Sequence, residues 1–542
     1  MQAITRRGRR WYHQPADKSQ GRTSMQVRSE RRNDFSLRGW LGSTVGAVVL
    51  FGLADLTDVV QAAKPTSTSR QIITLVPGEP SATIEEGLFG YLIEPYGRNV
   101  EGIWVGEDSS IPHQEGFRLD TLQAFRRLGP TVVRFPGGTY AETYHWEDGI
   151  GPRAQRPRTF NYYWGGEEDN HFGTGEFLRY CELVGADSWI KVNLLTDNLG
   201  NALKWMQYCN YEGTTHWANL RRAHGHPEPY GVKYWSTNNS ATDAFSPERY
   251  AELVNQWTFF MRQVDQQSKL VVRGNDPTWN ERFVARYAEL RKSADTSRDP
   301  LFHYLALFYP GSDKALTGTA GLLDRYLGAN RTDVVVEEWV VRGKSFQPPA
   351  PGWKFSYPME FQDPGFHESH VHVKQALDTA VQLHRFMKHA DRVKLATFLY
   401  GQNLWGALIR TDGPRFHLTP NYHTFDLLKQ HKGARLIGVE VDPASGLNVV
   451  ASTDKQGRRV TVSLINREEE KSSEALLRIT GSADGRLTKA KVMVLSGDPE
   501  DENTFDWPDK VQPRAGRAQR RPAGWHLRCP PASLTVVTLE DG

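Results

Sequence analysis

Two adjacent carboxylates, Glu337 and Glu338, end the apolar run Val334-Val335-Val336 and precede Trp339. Side chains alternate along a β-strand, so the pair falls on opposite faces and one of them can point into a barrel mouth or cleft. A carboxylate beside an indole suits a sugar site. The ring offers an apolar platform, and the carboxylate can attack an anomeric carbon. A surface Glu pair at a strand end is the competing reading, and spacing alone does not separate the two. Glu94, Asn238-Asn239-Ser240 and Tyr400 with Gln402 and Asn403 close other strand-like runs. Aromatic residues crowd the same ends: Tyr140, Tyr144, His145, Trp146, Tyr162, Tyr163 and Trp164. With 16 Trp and 20 Tyr in the chain, a carbohydrate pocket is favoured over simple rim packing. No Cys/His group has zinc spacing. His224 and His226 sit in the turn-like AHGHPEP, and the three cysteines (Cys181, Cys209, Cys529) are too sparse for a disulfide framework. No metal or cofactor is expected.

The elements that must position these groups alternate. Short β-branched or aromatic runs at 87–93, 131–135, 188–193, 232–237, 270–274, 304–308, 333–338 and 393–399 read as strands. Amphipathic segments at 119–128, 174–184, 246–266, 280–292, 373–389 and 421–430 read as helices. The segment at 174–184 meets Gly185 as a C-terminal stop, and the one at 246–266 opens with Ser246-Pro247-Glu248, an N-cap followed by proline. Eight strand-helix units predict an α/β fold, a (β/α)₈ TIM barrel whose active site lies at the C-terminal strand ends. A doubly wound sheet would carry a Gly-rich first turn, and none follows Ile93. Beyond His431 the pattern changes to short strands between turns, at 436–442, 447–452, 459–465, 473–479, 489–495 and 533–539. This is an appended all-β sandwich. The expected organisation is a leader at 1–63, an N-terminal strand at 64–80 joining the sandwich, a barrel at 81–432 and a sandwich at 433–542, with 497–524 as a long polar loop.

Several stretches resemble glycoside hydrolase family 51, the α-L-arabinofuranosidases. They are GIWVGEDSSIP from Gly102, RFPGGTYAETYHWEDGIGPRAQRPRTFNYYWGG from Arg134, FGTGEF from Phe172, LRRAHG near Arg221, EEW at Glu337–Trp339 and RTDGPRFHLTPNYHTFDLLK from Arg410. The resemblance runs in order over nearly the whole chain after the leader. It implies a barrel with a β-sandwich and a retaining mechanism, with two carboxylates roughly 5–5.5 Å apart, a nucleophile and an acid/base. It places the nucleophile at Glu338, a sugar-binding glutamate at Glu94, and the asparagine that precedes the acid/base at Asn239. The acid/base position itself holds Ser240, and a hydroxyl cannot protonate a leaving oxygen as a carboxylic acid does. Asp243 is the nearest substitute, and Glu248 a weaker one because it opens a helix. Other positions also depart from the family pattern. Thr139 follows Pro-Gly-Gly, and Tyr400 stands where a glutamine is usual. The strand-six His-Tyr pair falls either on His303-Tyr304 or, in the preferred register, on Phe308-Tyr309. Trp146 and Trp339 complete the expected sugar-binding set. Such changes around one site imply altered specificity or a lost activity. The two functions carried forward are therefore an arabinofuranoside-cleaving hydrolase acting on plant-type glycans and a non-catalytic carbohydrate-binding homologue. The resemblance also allows a homo-oligomer.

The charge pattern bears on location rather than on substrate. The chain has 542 residues and a net charge of +3. Residues 1–63 hold ten basic and five acidic side chains, a net +5, which leaves 3 − 5 = −2 for the rest. A nucleic-acid partner thus loses its electrostatic support. The basic block followed by the uncharged run WLGSTVGAVVLFGLA and the small residues at Val60-Gln61-Ala62 predicts an export signal, to the periplasm or the exterior. The run is too short for a stable membrane span of about 20 residues. Arg31-Arg32 ahead of Phe35 resembles a twin-arginine signal, and Met25 is an alternative start.

Overall fold

The computed structural model describes residues 70–78, 81–237, 244–293, 300–329, 331–341, 370–481 and 485–542. Thr66–Gly542 forms one compact unit. Residues 1–63, expected to be a leader, lie outside the described residues with their apolar run and twin arginines, as do Asn239, Ser240 and Asp243.

Eight parallel strands close into a barrel: β2 (Gly90–Leu92), β3 (Thr131–Phe135), β4 (Ala186–Lys191), β5 (Tyr234–Ser236), β6 (Lys269–Arg273), β7 (Tyr304–Phe308), β8 (Asp333–Trp339) and β9 (Val393–Phe398). Each pairs with the next in chain order, and β9 returns to β2. The expected barrel and all-β domain are therefore both present. The first strand is shorter than its apolar run of 87–93 suggested. Glu86–Phe89 is a 3₁₀ turn that buries Leu88 and Phe89. A short apolar stretch cannot distinguish a buried turn from a buried strand.

The helices are α1 (Leu119–Leu128), α2 (Thr174–Val184), α3 (Leu199–Asn210), α4 (His216–Ala223), α5 (Pro247–Val264), α6 (Pro277–Ser293), α7 (Asp313–Leu327), α8 (Val373–Lys388) and α9 (Pro420–Leu428). The predicted end signals operate. Gly185 stops α2 at φ 71°, a left-handed conformation suited to glycine, and Ser246 Oγ accepts the Arg249 N–H ahead of Pro247. The sequence reading missed α3, α4 and α7. Each has a polar N-cap whose side chain accepts a backbone N–H: Asn198, Thr215 and Ser312.

The sandwich begins before the barrel. β1 (Arg70–Val76) runs antiparallel to β13 (Gly438–Val441) and parallel to β16 (Ser473–Ile479). That sheet continues through β20 (Gly524–Cys529) to β19 (Ala518–Arg521). The facing sheet orders β12 (Arg435–Leu436), β14 (Leu447–Thr453), β15 (Arg459–Asn466), β21 (Ser533–Asp541), β17 (Leu487–Ser496) and β18 (Arg514–Ala515). The single run expected at 436–442 divides between the two sheets. The polar stretch 497–524 contains β18 and β19, so it is not loop throughout. Ile73, Leu75, Val462, Leu464, Leu477, Trp525 and Val537 are among the residues filling the space between the sheets.

Barrel and sandwich meet over α8 through a buried polar chain. Asn448 Oδ1 can only accept, so His384 Nδ1 donates to it at 2.8 Å. His384 Nε2 then accepts from Ser463 Oγ at 2.7 Å, and Ser463 Oγ accepts from His431 Nε2 at 2.9 Å. His431 Nδ1 accepts from Ser452 Oγ at 2.8 Å. The direction of every bond follows from the neutral state of both rings. Burial holds each imidazole down at about 3.

Candidate active site

Arg134 at the end of β3 organises the barrel mouth. Its guanidinium meets Glu337 at 2.6 Å and also pairs with Glu338 Oε1, all fully or nearly fully buried. Strict alternation would have sent these two carboxylates to opposite faces. The ladder explains why both reach one arginine: Leu307 pairs with Val336 but Phe308 pairs with Glu338, so the register skips Glu337. A β-bulge of this kind adds one residue and turns both side chains inward. The expectation of one inward and one outward glutamate is corrected accordingly, and the surface-pair reading falls with it.

Glu337 is the buried charge anchor. Lys191 Nζ of β4 lies 2.8 Å from its Oε1, and Arg273 of β6 lies 3.2 Å from its Oε2. Burial alone would raise its pKa, but Lys191, Arg134 and Arg273 outweigh that and hold it at about 2. Lys191 is itself pushed down to about 8 by burial, less the attraction of Glu337. The sequence reading missed these three cations as a group. Their signal was a charge inside an apolar strand, in TVVRF, SWIK and LVVR.

Glu94 follows β2 and is buried. Three donors hold it: the Tyr140 N–H at 2.9 Å and the Trp164 indole at 3.3 Å on Oε1, and the Tyr400 hydroxyl at 2.7 Å on Oε2. Gly137, at φ 117°, makes room for it, since a Cβ there would sit 2.3 Å from Glu94 Cγ. Burial and the nearby Glu338 charge raise the Glu94 pKa, against the pull of the three donors. A carboxylate surrounded by donors is suited to accept a hydrogen bond from a sugar hydroxyl rather than to deliver a proton to a leaving group.

Tyr309 lies close to this pair. Its N–H donates to the Glu338 carbonyl at 3.0 Å, and its side chain lies near Tyr400. Phe308-Tyr309 ends β7 at the mouth. His303 precedes the strand at the opposite end, where its Nδ1 accepts the Leu270 N–H. Thr139 begins the turn that presents the Tyr140 N–H. Glu338, Glu94, Tyr309 and Tyr400 are thus brought together, with Thr139 adjoining.

Two of the expected sugar-binding residues are elsewhere. Trp339 packs edge-on against Phe386 and Phe398 and in parallel with Phe425, on the outer side of β8. The same bulge that turns Glu337 and Glu338 inward leaves the next residue outward. Trp146 stacks on Trp205 at 5.8 Å and contacts Tyr208 and Trp217. Both are packing residues. It is Trp164 of the same stretch that reaches the mouth: it donates to Glu94, and its ring lies tilted against Tyr96 with centroids 4.1 Å apart. Glu248 pairs with Arg282 on the outer helices. Gln402 is engaged with Asn99, which in turn accepts the Glu94 N–H. Among the described residues no group of three or more His, Cys, Asp or Glu could hold a metal, and no helix is long and apolar enough to cross a membrane.

Known proteins are similar to this chain over most of its length. The α-L-arabinofuranosidase 1 domain family matches residues 124–296, and the α-L-arabinofuranosidase C-terminal domain family matches 337–533. A probable α-L-arabinofuranosidase C of Aspergillus fumigatus is 30% identical over 357 residues, 60% of this chain and 68% of the relative. The chain belongs to glycoside hydrolase family 51. An intracellular exo-α-L-arabinofuranosidase of Bacteroides ovatus is 26% identical over 514 residues, 86% of this chain and 95% of its own length. The crystal structure of an α-L-arabinofuranosidase from Thermotoga maritima, in an arabinose complex, superposes with a TM-score of 0.75 at 28% identity, covering 87% of this chain and all of that one. This member of family 51 is an arabinofuranosidase-like glycoside hydrolase.

Proposed function

We propose that the protein is an exported, retaining α-L-arabinofuranosidase that removes terminal arabinofuranosyl residues from plant-type polysaccharides or oligosaccharides. The observation that carries the reading is the pair Glu338 and Glu94. One carboxylate is oriented by Arg134, and the other is held by three donors beside it. Glu338 attacks the anomeric carbon, and the arabinosyl group becomes an ester on its carboxylate as the bond to the leaving oxygen breaks. Glu94 accepts a sugar hydroxyl and locks the ring for in-line attack. Water then cleaves the ester with retention. The proton that the leaving oxygen needs is assigned to Asp243, three residues past Ser240.

The serine at position 240 favours a second reading, a catalytically impaired homologue that binds arabinofuranosides without cleaving natural linkages. One assay separates the two. An aryl arabinofuranoside has a leaving group that needs no acid, and azide replaces the base-activated water. Hydrolysis of both the aryl substrate and arabinan supports the enzyme. Hydrolysis of the aryl substrate alone, accelerated by azide, means that Glu338 works without an acid partner. Binding without either turnover establishes the impaired homologue. Asp243→Asn should lower turnover of arabinan by about 10²–10⁴-fold, and an unchanged rate removes Asp243 from the mechanism.

Export is supported by the basic block and apolar run of residues 1–63. A mature product of 542 − 63 = 479 residues in the periplasm or medium would bear it out.

A further inference from the structure

Three consecutive residues of one loop face three environments. Trp164 donates to Glu94, Tyr163 donates its hydroxyl to the buried Glu142 at 2.5 Å, and Tyr162 turns its ring to solvent, 61% exposed. The loop is tied by hydrogen bonds of its own despite its exposed aromatics. Asn161 Oδ1 accepts the Tyr163 and Trp164 N–H groups, at 3.2 and 2.9 Å. Phe160 supports Tyr162 edge-on at 5.4 Å, although it is itself 53% exposed. Leaving two such rings in water forgoes hydrophobic stabilisation that burial would supply. Tyr162 and Tyr163 wall a cleft of about 510 Å³ together with Thr143, His145, Leu195 and Thr196. Its far side is fixed as firmly as its near side. Asn193 Oδ1 accepts the Leu195 and Thr196 N–H groups, and Thr196 Oγ1 donates to the Glu142 carbonyl at 2.8 Å.

The position of the cleft indicates what it holds. Its walls follow β3 and β4, and β4 pairs with β5, the strand that leads towards Ser240. In a retaining glycosidase the acid/base side of the mouth is the side on which the leaving group departs. Glu338 sits on β8, three strands further round from β5. The cleft therefore lies on the departure side, with tyrosine rings suited to the C–H face of a sugar and with hydroxyl and imidazole groups at its edge.

We propose that this cleft binds the polymer sugar to which the departing arabinofuranosyl residue is attached, with Tyr162 as its stacking platform. The assignment rests on the arabinofuranosidase reading above. The test uses the whole chain carrying Glu338→Gln, so that nothing is turned over, alone and combined with Tyr162→Ala or Tyr162→Trp. Each protein is titrated calorimetrically with linear β-1,4-xylotetraose, linear α-1,5-arabinotetraose and free L-arabinose. At least one tetrasaccharide should bind, and which one identifies the backbone. Tyr162→Ala should weaken that binding about tenfold, Tyr162→Trp should restore it, and the affinity for L-arabinose should be the same in all three. Tetrasaccharide affinity indifferent to Tyr162→Ala, or no binding of either tetrasaccharide, overturns the proposal. Tetrasaccharide binding that depends on Tyr162 without any L-arabinose binding supports the cleft as a saccharide site and overturns the arabinofuranosidase reading instead.

Discussion

At the scale of single residues, what distinguishes this site is how its carboxylates are held. Glu338 is oriented by a guanidinium that also grips Glu337, so the candidate nucleophile shares its anchor with a residue that never meets substrate. Glu338→Gln should reduce hydrolysis of an aryl arabinofuranoside by roughly 10³-fold or more, because the glycosyl ester no longer forms. Lys191→Met removes one of the three cations around Glu337. A buried charge stripped of a partner costs about 3–5 kcal/mol, so a large drop in the urea midpoint is expected, and an unchanged midpoint would show that Arg134 and Arg273 suffice. Tyr400→Phe removes a donor that lowers the Glu94 pKa. Glu94 then gains its proton at a higher pH than before. The acidic limb of the kcat/KM profile should move towards neutrality, while the alkaline limb stays in place.

The elements show which parts of the design could be read in advance. Helices with both a periodic apolar face and a terminal signal were legible, as at Gly185 and Ser246-Pro247. α3, α4 and α7 carried caps just as good, but the loop-like residues around them obscured their faces. The bulge in β8 was not legible. It exists only because β7 supplies one residue fewer than β8 at that point, a property of two strands in register and not of either sequence. Its consequences were missed with it: the inward turn of both glutamates and the outward turn of Trp339. The polar chain from Ser452 through His431, Ser463 and His384 to Asn448 likewise joins residues up to 79 positions apart. It makes a pH prediction. Both imidazoles stay neutral in the fold, with pKa values near 3, but protonate near 6.5 when unfolded. Depressed folded values mean that stability is complete above about pH 6.5 and is lost as the pH falls towards 3, by about 1.4 kcal/mol per pH unit for each ring. Melting temperature should therefore drop steadily below pH 6.5, and His384→Gln should make that slope shallower. An identical slope would place the acid sensitivity elsewhere.

At the scale of the whole molecule, Thr66–Gly542 is a unit of its own, and the sandwich is stitched from both ends of that unit. A chain beginning at Thr66 should melt at the same temperature as the full chain. One beginning after Val76 loses β1 from the middle of its sheet, between β13 and β16, and should melt lower or fail to fold. The sequence by itself determined the alternation of strands and helices, the change to an all-β pattern after His431, the family motifs and the asymmetry of charge between residues 1–63 and the rest. These are local or compositional properties, set by periods of two and 3.6 residues and by the identity of short runs. The tertiary structure alone decided which aromatic borders Glu94, which carboxylates share a cation and which rings line the cleft at Tyr162. Trp146 and Trp164 sit in the same motif and are equally suited to a sugar on paper. Trp146 is closed off by Trp205 and Trp217, and Trp164 opens onto Glu94, because contacts between distant segments decide which side of the chain faces the mouth.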